Sequence, residues 1–229
     1  MCDCRSTEQF WQQVDDAHAR ALVTSVIDAA RAQVEYSRAF TTSQRMTVLL
    51  GPNASREYEV RAEMHLQTRS WHLQHTKQAF AQFAAGLDEA GKQRITDFLK
   101  TGRVKDFTAQ ARQSTVLTLL HADLTPNEAQ MAVNALDGTL GKVAGLTSWQ
   151  EMADYFNQHL DELQAQKVGE ATSEKRALCI LILLIYSFYI SMVIIAIYSC
   201  ALFFPSDPAC ANKMLNEFLD QACGSELTT

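Results

Sequence analysis

No short motif of catalysis or nucleotide binding occurs in this sequence. There is no Gly-x-Ser-x-Gly elbow, no Walker loop, no His-Glu-x-x-His and no Gly-x-Gly-x-x-Gly, so serine hydrolases, P-loop enzymes, zincins and dinucleotide enzymes lack their usual local signatures. A triad assembled from distant positions leaves no such trace; the reading drawn here is a non-enzyme, with no cofactor expected. The six cysteines include no Cys-x-x-Cys pair, which removes a zinc knuckle and a thioredoxin-like site. Nor is there a basic block. Residues 1–174 hold 17 basic and 22 acidic side chains, a net of −5, which argues against a nucleic-acid-binding body and against broad adhesion to anionic lipid.

Proline and glycine are scarce, four and nine in 229 residues, and no alternating β-branched run has turn signals at both ends. Between the breakers the chain is rich in Ala, Gln, Leu, Glu and Arg, all good helix formers. The fold class is all-α: a multi-helix bundle body, a single transmembrane helix and a short C-terminal amphipathic helix. The expected divisions are 1–168 for the bundle, 169–174 for a linker, 175–204 for the span and 205–229 for the tail.

What the chain does have is one long apolar run. Residues 177–204 contain no charge, no Pro and no Gly over 28 positions, against the roughly 20 apolar residues that cross a hydrocarbon core about 30 Å thick. Its apolar side chains lie on every side of the helix; Ala177, Leu181, Leu184, Phe188, Met192, Ile195, Phe203 and Phe204 are read as membrane-inserting. Ser187 and Ser191, one turn apart, are candidates for a helix–helix contact, since small residues four apart let helices approach. Lys175 and Arg176 precede the run, whereas one Lys faces four acidic residues after it. The positive-inside rule then gives a single-pass protein with the body cytosolic and the C-terminus outside. Residues 1–24 lack the apolar core of a signal. A tail in an oxidising compartment would permit a Cys200–Cys210 disulfide. Cys210 and Cys223 on one helix would be about 20 Å apart, too far to bridge.

Along the body, Ser6 or Thr7 is placed as the cap of a first helix ending near residue 40, where Thr41-Thr42-Ser43 would break or recap it. Its apolar stripe is read from Phe10, Val14, Ala17 and Ala21, then Val23, Ile27, Ala30 and Val34. Gly51-Pro52-Asn53 is the clearest turn, and a second long helix over about 54–85 completes an antiparallel hairpin. Gly86, Gly91, Gly102, Gly138, Gly141, Gly145 and Gly169 are read as partitions between shorter helices over about 92–100 and 104–122. Thr125-Pro126-Asn127-Glu128 starts another helix, with Pro at the first helical position, and Thr147-Ser148-Trp149-Gln150-Glu151 opens the last one, through about residue 166. Asp207-Pro208 caps an amphipathic tail helix over about 209–222, suited to a membrane surface.

One polar group invites a metal reading: Glu63, His65, His72 and His75 around Trp71. On a helix His65 and His72 lie about 20° apart and His75 about 80° from His65, but no His-x-x-x-His or Glu-x-x-His pair is present, so these stand only as weak candidates for a metal and no metal is assigned. Trp149, Tyr155 and Phe156 read as core.

Two functions fit this layout. The first is a membrane-anchored helical protein whose non-catalytic cytosolic body binds a protein partner or forms a homo-oligomer. The alternative is a membrane-active toxin or antimicrobial peptide precursor whose hydrophobic Cys-containing C-terminal region inserts into or forms pores in membranes. The order of parts is similar to that of sporulation-delaying-type bacteriocin precursors, in which a hydrophobic, Cys-containing peptide is cut from the later part of a helical protein. Those precursors carry an N-terminal signal; residues 1–24 show none.

Overall fold

A computed structural model describes residues 17–53, 55–101, 109, 112 and 126–165. These form five helices: α1 (Ala17–Leu50), α2 (Arg56–Gly86), α3 (Glu89–Lys100), α4 (Pro126–Ala144) and α5 (Trp149–Ala165). No strand occurs among the described residues, and the all-α reading holds for them. The membrane run 177–204, with Ser187, Ser191, Cys200 and Cys210, lies outside the described residues, as do the first-helix cap, the tail helix and nearly all of 102–125. Among the described residues no helix is long and apolar enough to cross a membrane.

The architecture is organised by the α1–α2 hairpin. On α1, Ala19, Leu22, Val26, Ala29, Gln33, Tyr36, Phe40 and Ser43 are buried and recur at steps of three and four. On α2 the same alternation runs through Ala62, Arg69, Leu73, Thr76, Phe80 and Phe83, all buried, with half-buried Leu66 completing the series. A strict three–four alternation is the heptad spacing of a coiled-coil seam. The pairing is antiparallel. Thr76 Oγ1 lies 2.9 Å from the Ser25 carbonyl, Arg69 Nε donates to Gln33 Oε1, and Tyr36 and Phe40 pack with Ala62. Partners therefore descend α2 as they ascend α1. Burying each large seam side chain such as Leu22 or Leu73 contributes roughly 1.5–3 kcal/mol relative to leaving it exposed.

This seam explains where α1 stops. The Thr41-Thr42-Ser43 break does not occur, because Ser43 is a seam residue and Thr47 Oγ1 returns a 2.9 Å hydrogen bond to the Ser43 carbonyl. The helix ends instead at Gly51, whose φ of +80° is a left-handed conformation that costs glycine little. The Gly51 amide donates to the Thr47 carbonyl at 3.0 Å.

Three glycine partitions are also corrected. α4 runs through Gly138 and Gly141 without interruption and stops at Gly145. Helix α3 starts three residues before the expected 92, because Asp88 accepts from the Gly91 amide at 2.6 Å and caps it. A Cβ at Gly91 would meet Leu87 Cδ2 at 2.9 Å and Asp88 Oδ1 at 3.0 Å. Gly91 thus belongs to the cap. The α5 start at Trp149 falls where its signal puts it; α4 is described from Pro126 on, and its expected Thr125 cap lies outside the described residues.

Helix α5 packs antiparallel on α2. Phe80 meets Trp149 and Phe156 at ring-centroid distances of 5.9 and 4.5 Å, and Lys77 pairs with Asp161 further along. Its N-terminus is a capping box: the Glu151 amide donates to Ser148 Oγ at 3.2 Å, and Glu151 Oε2 accepts from the Thr147 amide at 2.8 Å. The Trp149 amide donates to Thr96 Oγ1 at 3.1 Å and ties α5 to α3. Trp149 and Phe156 are buried and Tyr155 half-buried, which fits their core reading.

Candidate functional site

The histidine face of α2 does not gather into a ligand set. Glu63 and His75 are exposed, and His65 and His72 are half-buried. The angular argument for His65 and His72 neglects height: seven residues of helix rise about 10.5 Å, several times a metal–ligand bond. No group of three or more metal-binding side chains occurs among the described residues. The rings engage Trp71 instead. His75 stacks on its indole at 5.4 Å with planes 4° apart, and His72 meets it edge-on at 4.8 Å. His72 Nδ1 is buried and meets no hydrogen-bond partner among the described residues. Two imidazoles and an indole on successive positions of one helix make a ring cluster, not a coordination sphere.

Trp71 itself is 60% exposed, and two other large apolar side chains of α2, Val60 and Met64, are 50% and 63% exposed. At about 100° per residue these three fall within about 40° of one another, on the side of α2 opposite its seam with α1. A second apolar group lies at the hairpin tip, where Val48, Leu49 and Leu50 are 85%, 74% and 54% exposed. Sequence reading missed both. The signal was present in the tip as three consecutive apolar residues beside Gly51-Pro52, and on α2 as apolar residues off the seam.

Behind this face lies a buried polar hub. Arg69 is 2% exposed. Its Nε donates to Gln33 of α1, its Nη2 donates to the Leu163 carbonyl of α5 at 2.6 Å, and its guanidinium lies 5.7 Å from the Tyr36 ring. One side chain therefore joins three helices.

Displaced ionisations lie elsewhere and answer to structural neighbours. Burial holds His159 below its ordinary value, against Glu162 with Nδ1–Oε2 at 3.5 Å, which raises it. Burial, helped by Glu162, pushes Tyr155 up to about 12. The Thr147 amide holds Glu151 below the usual carboxylate range. Asp137 is lowered by its bidentate pair with Arg112, at 2.6 and 3.0 Å. None of these groups faces another across a shared space with a nucleophile. No protein-family model, curated protein or solved structure matches the chain.

Proposed function

We propose that this protein is a non-catalytic helical docking protein, held at a membrane by a span over 177–204, whose cytosolic body binds a protein partner or a second copy of itself. One observation carries the reading: a rigid two-helix coiled coil presents Val60, Met64 and Trp71 outward, away from its own seam. Surface aromatics and methionines of this kind are enriched at protein interfaces, and Trp is the residue most often found to dominate binding. The 28 uncharged residues of 177–204 supply the anchor. The displaced titrating groups each serve a cap, an ion pair or core packing, which favours a binding role over chemistry.

The test is a photoreactive residue at position 64 in the full-length protein, carried in native membranes. A discrete protein adduct, lost when Trp71 is replaced by Ser while the helical circular dichroism is unchanged, is the expected result. Adducts distributed over many proteins, or indifferent to Trp71, would defeat the docking role. Alkaline extraction of the same membranes tests the anchor, which requires full-length protein in the pellet. A short C-terminal fragment there would instead mark cleavage after the body and favour the toxin-precursor reading.

A further inference from the structure

We infer that the tip of the α1–α2 hairpin, Val48-Leu49-Leu50, is a second membrane contact that seats in the interface of the bilayer receiving 177–204; the inference rests on the anchor proposed above. The tip differs from the outer stripe of α2 in kind. Three consecutive helical residues fan over about 200° of the helix circumference, so no flat partner on one side of the rod covers all three. A surface that meets the rod end-on does. All three are more than half exposed, at the extreme end of helices 34 and 31 residues long.

The course of the chain points the same end toward the membrane. Helix α5 runs antiparallel to α2, and Leu163 near its end stands level with Arg69. From Arg69 down to the start of α2 at Arg56 is about 20 Å along the helix. From Ala165 to Ala177, where the apolar run begins, the chain covers about 18 Å if helical and about 40 Å if extended. The apolar run therefore starts within reach of the tip. The charges nearest the tip are mixed, with Arg45 and Arg56 exposed alongside Glu57 and Glu59. An apolar contact that needs no anionic headgroup fits that balance.

The experiment places a photoreactive residue at one of three positions of the full chain in native membranes, and scores lipid and protein adducts separately. Leu49 reports the tip, Leu184 the span, and Gln82, exposed about 39 Å up α2 from Arg56, the far end. Lipid adducts at 49 and 184, several-fold above those at 82, are expected. Lipid adducts at 184 with none at 49 would overturn the tip contact and leave the anchor standing. Lipid adducts at 49 with none at 184 would support the tip and overturn the anchor. A protein adduct at 49 would overturn the lipid assignment and give the tip to a partner or a second copy. Because Leu49 is 74% exposed, its replacement leaves the hairpin seam untouched, and unchanged helical ellipticity verifies it.

Discussion

Replacing Arg69 by Ala removes a side chain that joins α1, α2 and α5. Gln33 Oε1, on a residue 1% exposed, and the Leu163 carbonyl each lose a hydrogen bond from it. A hydrogen bond lost at a buried acceptor costs up to about 1–3 kcal/mol, and the deleted methylene stem forfeits roughly 0.8 kcal/mol per buried CH₂. Against this stands the relief of a desolvated guanidinium, which amounts to several kcal/mol in a buried site. A net loss of about 2–4 kcal/mol is expected. Arg69→Met keeps most of the stem and should lose about 1–2 kcal/mol, and R69M combined with Gln33→Leu should lose less than the sum of the two singles, because both polar ends of the Arg69–Gln33 contact are then gone. Urea titration of the full chain in a mild detergent, followed by helical ellipticity, measures all three provided the slope is unchanged. An Arg69→Ala variant within about 0.5 kcal/mol of the parent would refute the argument. So would a double variant as unstable as the sum of the singles, since contacting residues must couple.

Three smaller perturbations test the local readings. His159 is held below its ordinary value by burial, so the unfolded chain takes up its proton first as pH falls. Its stabilising share is complete above the unfolded value near 6.5 and is lost as pH drops through the folded one; urea midpoints should fall from pH 7 toward pH 5, and less so in His159→Gln. Ser148→Ala removes the oxygen that accepts from the Glu151 amide and should cost about 1 kcal/mol, read as a lowered urea midpoint. Gly138→Ala and Gly141→Ala place a methyl where nothing lies within 4 Å and should each stabilise by about 0.5–1 kcal/mol, whereas Gly91→Ala should gain nothing, because its Cβ presses on the Asp88 cap.

Helix ends were legible where a cap is a local device. Thr147 through Glu151 and Gly51-Pro52 each marked a boundary that the structure keeps, because the signal and the bond that satisfies it lie within four residues. The α1 stripe was legible only in part, at Val23, which is buried. Ala17 and Ala21, taken as core, are exposed, while Ser25, Gln33 and Ser43 are buried. A period read from apolar residues alone cannot follow a seam that is partly polar, and here the burial of Gln33 is decided by Arg69, 36 positions away. Gly91 misled for a related reason. Its exclusion of a side chain is a property of the folded cap, whereas the reading treated the residue as a breaker. The His65–His72 pairing failed on a simpler point, since azimuth on a helix says nothing of height.

The hairpin places its residue types against the usual preference: Arg69, Gln33, Ser25 and Thr76 inside, Trp71, Met64 and Leu49 outside. The buried polar positions narrow the ways in which α1 and α2 can pair, because a slip of one heptad between them would carry Gln33 away from Arg69. Polar residues at seam positions are the best-attested device for fixing coiled-coil register. Fixed register in turn fixes the outside. Val60, Met64 and Trp71 keep one azimuth and the tip keeps one height relative to α5 only while the seam holds its alignment. The Arg69 variants therefore reach beyond stability: a double variant R69M with Gln33→Leu that folds as firmly as the parent, yet loses the position-64 adduct, would show that the hub serves to aim the outer face. Retention of that adduct would assign the hub to folding alone.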